Sequence, residues 1–198
     1  MGLLVGLCSL RAAPLPQGVV DEGTGLGTFT ECRLVPAQWN DGDSFGVLFP
    51  DGSTHTLRLY GVDCFETSER HPTDRRRLRS QRAYFGIAGS GGDERSSIKA
   101  AIMLGGAAKK RVGELLSKPF TVHTAWADGR GHPRHKRYYA FITEAAGGDL
   151  GRLLVREGLA RAFGVARARR VGVNQEEYRD RLGDEELSAA SRLSLIHI

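Results

Sequence analysis

Hydrophobic and polar residues alternate in three consecutive segments in the first third of the chain. The segments are residues 29–39, 44–49 and 54–62. In the second segment Phe45, Val47 and Phe49 fall on one face, and in the third Leu57 and Leu59 share a face. A period of two is typical of strands with one buried face, and Pro-Asp-Gly at 50–52 is a turn sequence. The pattern predicts a three-stranded meander.

The rest of the chain predicts helices and two more strands. Residues 69–82 are polar and carry six arginines, and Gly-Ser-Gly-Gly at 89–92 interrupts the chain. A helical stripe follows, formed by Ile98, Ile102, Ala108, Val112 and Leu115. Residues 120–126 and 138–143 are predicted to be strands. Asp149 is the predicted cap of a short helix, with Leu150, Leu153 and Leu154 facing inward and Gly158 ending it. A charged helix is predicted for residues 175–192.

Five strands and about three helices define an α+β class, mainly β. The order of elements favours a small closed five-stranded barrel of the OB-fold type, because such a barrel removes exposed sheet edges. On the strand that begins at residue 138, we expect Tyr139 to face the core together with Phe141.

The composition is that of one globular domain, and its charge favours one class of binding partner. The 198 residues are 40% hydrophobic and 26% charged, and no apolar run approaches the roughly 20 residues of a membrane span. Lys and Arg number 28 against 23 Asp and Glu, a net charge of +5 that favours an anionic partner. Three cysteines are too few for a disulfide scaffold, and pairing of Cys32 with Cys64 stays open if the protein is exported.

The two ends of the chain differ from the body. Residues 3–10 (LLVGLCSL) resemble the apolar core of a signal peptide, so residues 1–28 are expected to be a leader and linker. The protein is then expected to be secreted or periplasmic, or cytoplasmic if the leader is not functional. The last six residues, LSLIHI, match the translation of a sequencing adapter. We therefore expect the domain to span 29–192, with 193–198 an artefact and the last helix truncated.

Carboxylates and an arginine are concentrated around the predicted meander. Asp41 and Asp43 precede the second strand within Asp-Gly-Asp-Ser, and the third strand carries Arg58 and ends towards Asp63 and Glu66. Asp-Gly-Asp by itself usually means only a turn. Together, hard oxygen ligands beside a guanidinium suit a divalent cation and a phosphate.

Four motifs occur in one order between residues 32 and 164: DGDS, RLYGVDCFE, RYYAFI and DLGRLLVREGLARAFG. This arrangement resembles the staphylococcal nuclease (thermonuclease-like) family. The resemblance implies a calcium-dependent enzyme that hydrolyses single-stranded or flexible DNA and RNA. It implies cleavage at the 5′ P–O bond, which leaves 3′-phosphates, and we expect a monomer.

The resemblance also implies the calcium ligands. They are the side chains of Asp43 and Asp63 and the main-chain carbonyl of Cys64, at a position where the family commonly has Thr. Asp41 is expected to shape the calcium site through hydrogen bonds from behind these ligands.

The catalytic roles fall on three further residues. Glu66 is the expected general base, and Arg58 and Arg137 are expected to hold the scissile phosphate. The chain departs from the family where Phe65 replaces the usual Pro, in the loop HPRHK before Arg137, and in the longer insertion at 69–97.

Two alternatives remain open. A nucleic-acid-binding module could keep the barrel and lack catalysis, although all the charged roles are filled. A zinc site formed by His123, His132 and His135 is disfavoured, because their spacing is not that of known zinc ligands.

Overall fold

A computed structural model describes residues 15–89, 92–130, 136–169 and 173–195, and in these ranges the protein is α+β with eight strands and four helices. The strands are β1 (Val19–Asp21), β2 (Leu26–Val35), β3 (Ser44–Leu48), β4 (Thr54–Leu59), β5 (Val62–Cys64), β6 (Phe120–Asp128), β7 (Arg137–Thr143) and β8 (Ala160–Ala162). The helices are α1 (Pro72–Tyr84), α2 (Glu94–Leu115), α3 (Leu150–Arg156) and α4 (Gln175–Leu195).

Five of the strands form a ring of pairings. Strands β2, β3 and β4 are the predicted antiparallel meander, which is confirmed. Strand β4 pairs in parallel with β7, β7 pairs antiparallel with β6, and β6 pairs antiparallel with β2. The sheet therefore returns to the strand on which it started, and β1 adds a short outer strand to β2.

The five predicted strands correspond to the five strands of the ring, and three short strands were missed. Strand β1 and the start of β2 lie inside the segment expected to be a linker. The predicted strand 54–62 is interrupted at Gly61, whose φ of +71° is a left-handed conformation that ends an extended strand. Beyond that break β5 pairs with β8 as a separate ribbon. A three-residue strand is too short to show a period of two.

The helices differ from the prediction in the arginine-rich segment. We predicted one helix between the third and fourth strands, and the structure has α1 and α2 there. Pro72 begins α1, as proline often does at a first helical position. The buried face of α1 consists of Leu78, Gln81 and Arg82, so a search for an apolar stripe does not detect it.

Helix α2 was predicted correctly in position, and its predicted stripe faces inward: Ala108 and Val112 are buried, and Ile98, Ile102 and Leu115 are half-buried. The other buried residues of this helix are Ser97, Ala101 and Gly105. Small residues occupy this face because α2 packs closely against the backbone of neighbouring segments.

The core lies inside the ring and beneath the last two helices. Phe45, Val47 and Leu57 are fully buried, as the alternation predicted, and Tyr139 and Phe141 are buried together. The side chain of Asp149 accepts a hydrogen bond from the backbone N–H of Arg152, which confirms the predicted cap of α3. Of the three leucines expected to face inward, Leu150 and Leu154 are buried and Leu153 is half-buried.

Helix α4 begins at Gln175, as predicted, and inserts Tyr178 and Leu182 into the core. None of the helices in the described ranges has the length and apolar character that crossing a membrane requires. Residues 1–14, which include the expected leader, and 196–198 lie outside the described residues.

Candidate active site

The segment Asp41–Gly42–Asp43 leads into β3 and is held closely against the protein. A Cβ added to Gly42 would lie 2.6 Å from Cys64 Sγ and 2.7 Å from Ala108 Cβ, so a side chain has no room there. Oδ1 of Asp41 accepts hydrogen bonds from the backbone N–H groups of Asp43 and Ser44. Asp-Gly-Asp is therefore a packed structural segment that fixes the start of β3.

Arg58 connects the two carboxylates expected to bind a cation. It extends from β4 on the side opposite the buried Leu57 and Leu59. One nitrogen, Nη1, donates to Asp43 Oδ1 at 2.9 Å, and the other, Nη2, donates to Asp63 Oδ1 at 3.2 Å. The Arg58 guanidinium therefore bridges Asp43 and Asp63, which lie 20 positions apart in the sequence.

Asp63 is also held from its other side. Its Oδ2 accepts hydrogen bonds from Gln81 Nε2 at 3.0 Å and from Arg161 Nε at 2.9 Å, and Arg161 Nη2 lies 2.9 Å from the same oxygen in an ion pair. Asp63, Gln81 and Arg161 are all buried. Two arginines and an amide therefore stabilise the Asp63 carboxylate in the low-dielectric interior.

Cys64 contributes main-chain atoms to the same cluster. Its N–H donates to Asp43 Oδ2 at 3.0 Å, and its carbonyl oxygen accepts from Gln81 Nε2 at 2.7 Å. Its thiol is free and buried, and burial, followed by the charge of Asp43, raises the pKa of that thiol well above the ordinary value. A thiol in this state is a poor nucleophile.

Asp41 and Glu66 supply further negative charge. Burial raises the pKa of Asp41 well above its ordinary value, and the charges of Asp43 and Glu66 raise it further. Oε1 of Glu66 accepts from Arg77 Nη1 at 2.9 Å. Burial raises the pKa of Glu66, while Arg77 acts in the opposite direction. Glu66 therefore forms its ion pair with Arg77 of α1 rather than with Arg58.

The second predicted phosphate ligand, Arg137, begins β7 and reaches the first. Its Nη1 lies 3.3 Å from Ser44 Oγ, and Arg58 Nη1 lies 3.3 Å from the same hydroxyl oxygen. Burial lowers the pKa of Arg137, and the positive charge of Arg58 lowers it further. Two guanidinium groups held this close would both be stabilised by an anion.

Arg58, Asp63 and Arg137 line a cleft of about 560 Å³. In the described part of the chain it is lined by a single carboxylate, Asp63, and by the arginines Arg58, Arg76, Arg77, Arg130, Arg137 and Arg161. The cleft concentrates positive potential, since arginines and low-dielectric walls focus the field. It is suited to a ligand that carries phosphate.

The oxygen atoms expected to bind calcium are gathered in one place. Asp63 Oδ2 and the Cys64 carbonyl oxygen contact the same nitrogen of Gln81, and Asp43 and Asp63 contact the same guanidinium. All are hard oxygen ligands of the kind that Ca²⁺ prefers. Within the described ranges no three His, Cys, Asp or Glu side chains form a ready metal cluster. The expected ligand set has only two carboxylate side chains, and its third ligand is a main-chain carbonyl. These oxygen atoms are of the type that Ca²⁺ prefers.

The other sites considered from the sequence receive no support. Cys32 and Cys64 are both free thiols, so the disulfide between them is not formed. Among the three histidines considered for a zinc site, His123 is hydrogen-bonded to the hydroxyl groups of Thr28 and Thr143. The other two lie outside the described residues.

Sequence reasoning missed the contributions of Gln81 and Arg161 to the site. A signal for Gln81 existed, because Leu78, Gln81 and Arg82 have the i, i+3, i+4 spacing of one helical face. Arg161 lies in the three-residue strand β8, where no periodic signal is available.

Comparison with known proteins adds no relative: the chain matches no protein-family model, and no curated protein matches it significantly.

Proposed function

We propose that this protein is a calcium-dependent nuclease of the staphylococcal nuclease-like type, built on an OB-fold barrel. The observation that carries the proposal is the convergence of Arg58 and Arg137 on one hydroxyl, Ser44 Oγ, beside the Asp43 and Asp63 carboxylates. The ring of strands β2, β3, β4, β7 and β6 supports the barrel. The residues come from the positions that the resemblance assigns to them.

In the proposed reaction the two arginines bind the non-bridging oxygens of the scissile phosphate. Arg58 uses three of its five N–H groups in the contacts with Asp43, Ser44 and Asp63, so two donors remain for a ligand. Donors fixed in a cleft stabilise the charge that develops on phosphorus. Glu66, with its raised pKa, orients or deprotonates the attacking water.

Calcium is proposed to bind Asp43, Asp63 and the Cys64 carbonyl, with Asp41 positioning the segment behind them. When bound, it would supply a Lewis acid for the phosphate oxygens. The proposed products are 3′-phosphates formed by cleavage of the 5′ P–O bond in single-stranded or flexible DNA and RNA. We propose that the protein acts as a monomer and is exported.

The second candidate is a nucleic-acid-binding module without catalysis. It is favoured by one observation: Asp63 Oδ2 already accepts a hydrogen bond from Gln81 and another from Arg161, with which it also forms an ion pair. A carboxylate neutralised in this way needs less compensation from a cation.

The test is incubation of the purified protein with end-labelled denatured DNA and with RNA, in calcium and in chelator. We expect calcium-dependent cleavage, and products that a polymerase extends only after phosphatase treatment. Arg58→Lys is expected to bind the same DNA but to cleave it about 10²–10³-fold more slowly, because Lys lacks the two-pronged donor. Binding without cleavage by the folded wild-type protein would establish the second candidate instead.

A further inference from the structure

Helix α1 reaches the candidate site through one fully buried side chain, Gln81. Its Nε2 donates to the carbonyl of Cys64 at 2.7 Å and to Asp63 Oδ2 at 3.0 Å. Its Oε1 accepts from the backbone N–H of Glu66 at 3.2 Å. One amide group thus contacts three of the four residues from 63 to 66.

The partners determine the orientation of this amide. The Glu66 N–H requires an acceptor, whereas the Cys64 carbonyl and the Asp63 carboxylate require a donor. Only the amide of glutamine or asparagine combines two donor hydrogens with an acceptor, and asparagine is one methylene shorter. The site therefore specifies the residue type as well as the contact.

Helix α1 is also held by contacts that do not involve Gln81. Leu78 is buried in a small cluster with Phe65 and Ala101. Arg82 donates to Ser97 Oγ and to Glu94 of α2. Gln81 consequently projects from a helix that is fixed on both sides of it, so it can hold the loop in place.

From these contacts we propose that Gln81 is the positioning residue of the site, and the inference rests on the proposed function. It sets the direction of the Cys64 carbonyl and of the Asp63 carboxylate toward the cation, and fixes the backbone of Glu66 relative to both. It does not contact the substrate. It acts through the residues that do, as groups behind metal ligands commonly do.

The proposal predicts a loss of calcium affinity that is specific to Gln81. Gln81→Met keeps the side-chain length and removes all three hydrogen bonds. We expect the half-saturating concentration of calcium, measured by isothermal titration with the metal alone, to rise about 10–100-fold. The kcat should fall while the KM for single-stranded DNA stays near the wild-type value, because Arg58 and Arg137 are untouched.

Arg82→Met is the matched control. It removes polar contacts between α1 and α2 and leaves Asp63, Cys64 and Glu66 untouched, so its calcium affinity should remain that of the wild type. Gln81→Glu is a second variant: it keeps the acceptor for Glu66 but turns a charged oxygen toward Asp63. Its Tm should fall in chelator, and calcium should raise that Tm by more than it raises the wild-type Tm.

The outcomes separate the two proposals. If the wild-type protein neither binds calcium nor cleaves nucleic acid, the proposed function fails and this inference fails with it. If the wild type does both, and Gln81→Met binds calcium equally well or Arg82→Met loses as much affinity, Gln81 has no special role. If Gln81→Met does not fold, a Gln81→Glu protein with the wild-type response of Tm to calcium overturns the inference.

Discussion

Two adjacent glycines in α2 allow the position of the Glu66 loop to be tested directly. A Cβ added at Gly105 would lie 2.6 Å from the carbonyl oxygens of both Phe65 and Glu66, which is 0.8 Å inside the 3.4 Å where ordinary contact begins. Those atoms belong to the backbone and cannot rotate away. A Cβ added at Gly106 would meet nothing within 4 Å.

The two alanine variants should therefore change stability in opposite directions. Gly106→Ala gains helix propensity and should stabilise the protein by about 0.8–1 kcal/mol, or roughly 2–4 °C in Tm. Gly105→Ala has the same gain but must displace α2 or the loop, and overpacking of this kind costs about 1–3 kcal/mol. The difference between the variants cancels the propensity and isolates the steric cost.

Urea denaturation of both variants measures this difference, and single-turnover cleavage measures its effect on the site. A displacement of the Glu66 loop approaching 1 Å should slow cleavage by about 10²-fold in Gly105→Ala, while Gly106→Ala keeps the wild-type rate. Equal stability of the two variants would refute the close packing of this loop on α2. Equal cleavage rates despite unequal stability would refute the role of Glu66.

Three further predictions concern other parts of the protein. Arg161→Met removes one of the two arginines paired with the buried Asp63 and should lower the free energy of unfolding by about 1.5–3 kcal/mol in urea denaturation, with a smaller loss when Asp63→Asn is added. In a Cys8→Ser background, Cys32 and Cys64 should resist iodoacetamide until the protein unfolds, as followed by mass spectrometry; burial raises the pKa of Cys32 to about 12. Arg76→Ala should reduce the salt dependence of single-stranded DNA binding by about 0.7 in log–log slope, measured by fluorescence anisotropy, if its cleft position contacts a phosphate.

The fold was predictable where structure follows from local alternation. Apolar residues alternate along β3 and β4, so Phe45, Val47 and Leu57 revealed the period and orientation of these strands. The closure of the sheet through β2 and β6 depends on pairing such as Phe29 with Val122, which no local pattern specifies. The three-residue strands were not predicted either, because they are too short to show a periodic pattern.

The site was predictable to the extent that its residues lie near one another along the chain. Asp43, Arg58 and Asp63 fall within the meander and the ribbon strand that follows it, where they were recognised as a set. Gln81 and Arg161 contact Asp63 from α1 and β8, 18 and 98 positions away. Neither residue was predicted to belong to the site, because an isolated arginine or glutamine is usually exposed.

The polar face of α1 links the stability of that helix to the charges of the site. Leu78 is its one fully buried apolar residue, so much of its attachment comes from Gln81 and from Arg82. A buried amide is stable only while its partners are in place, since an unsatisfied buried donor costs about 1–3 kcal/mol. Loss of the Asp63 carboxylate should therefore loosen α1 as well as the site. For the same reason the helix can carry five arginines without an apolar stripe. Hydrogen bonds to the carboxylate and carbonyl groups of the site replace part of the hydrophobic packing that usually holds a helix.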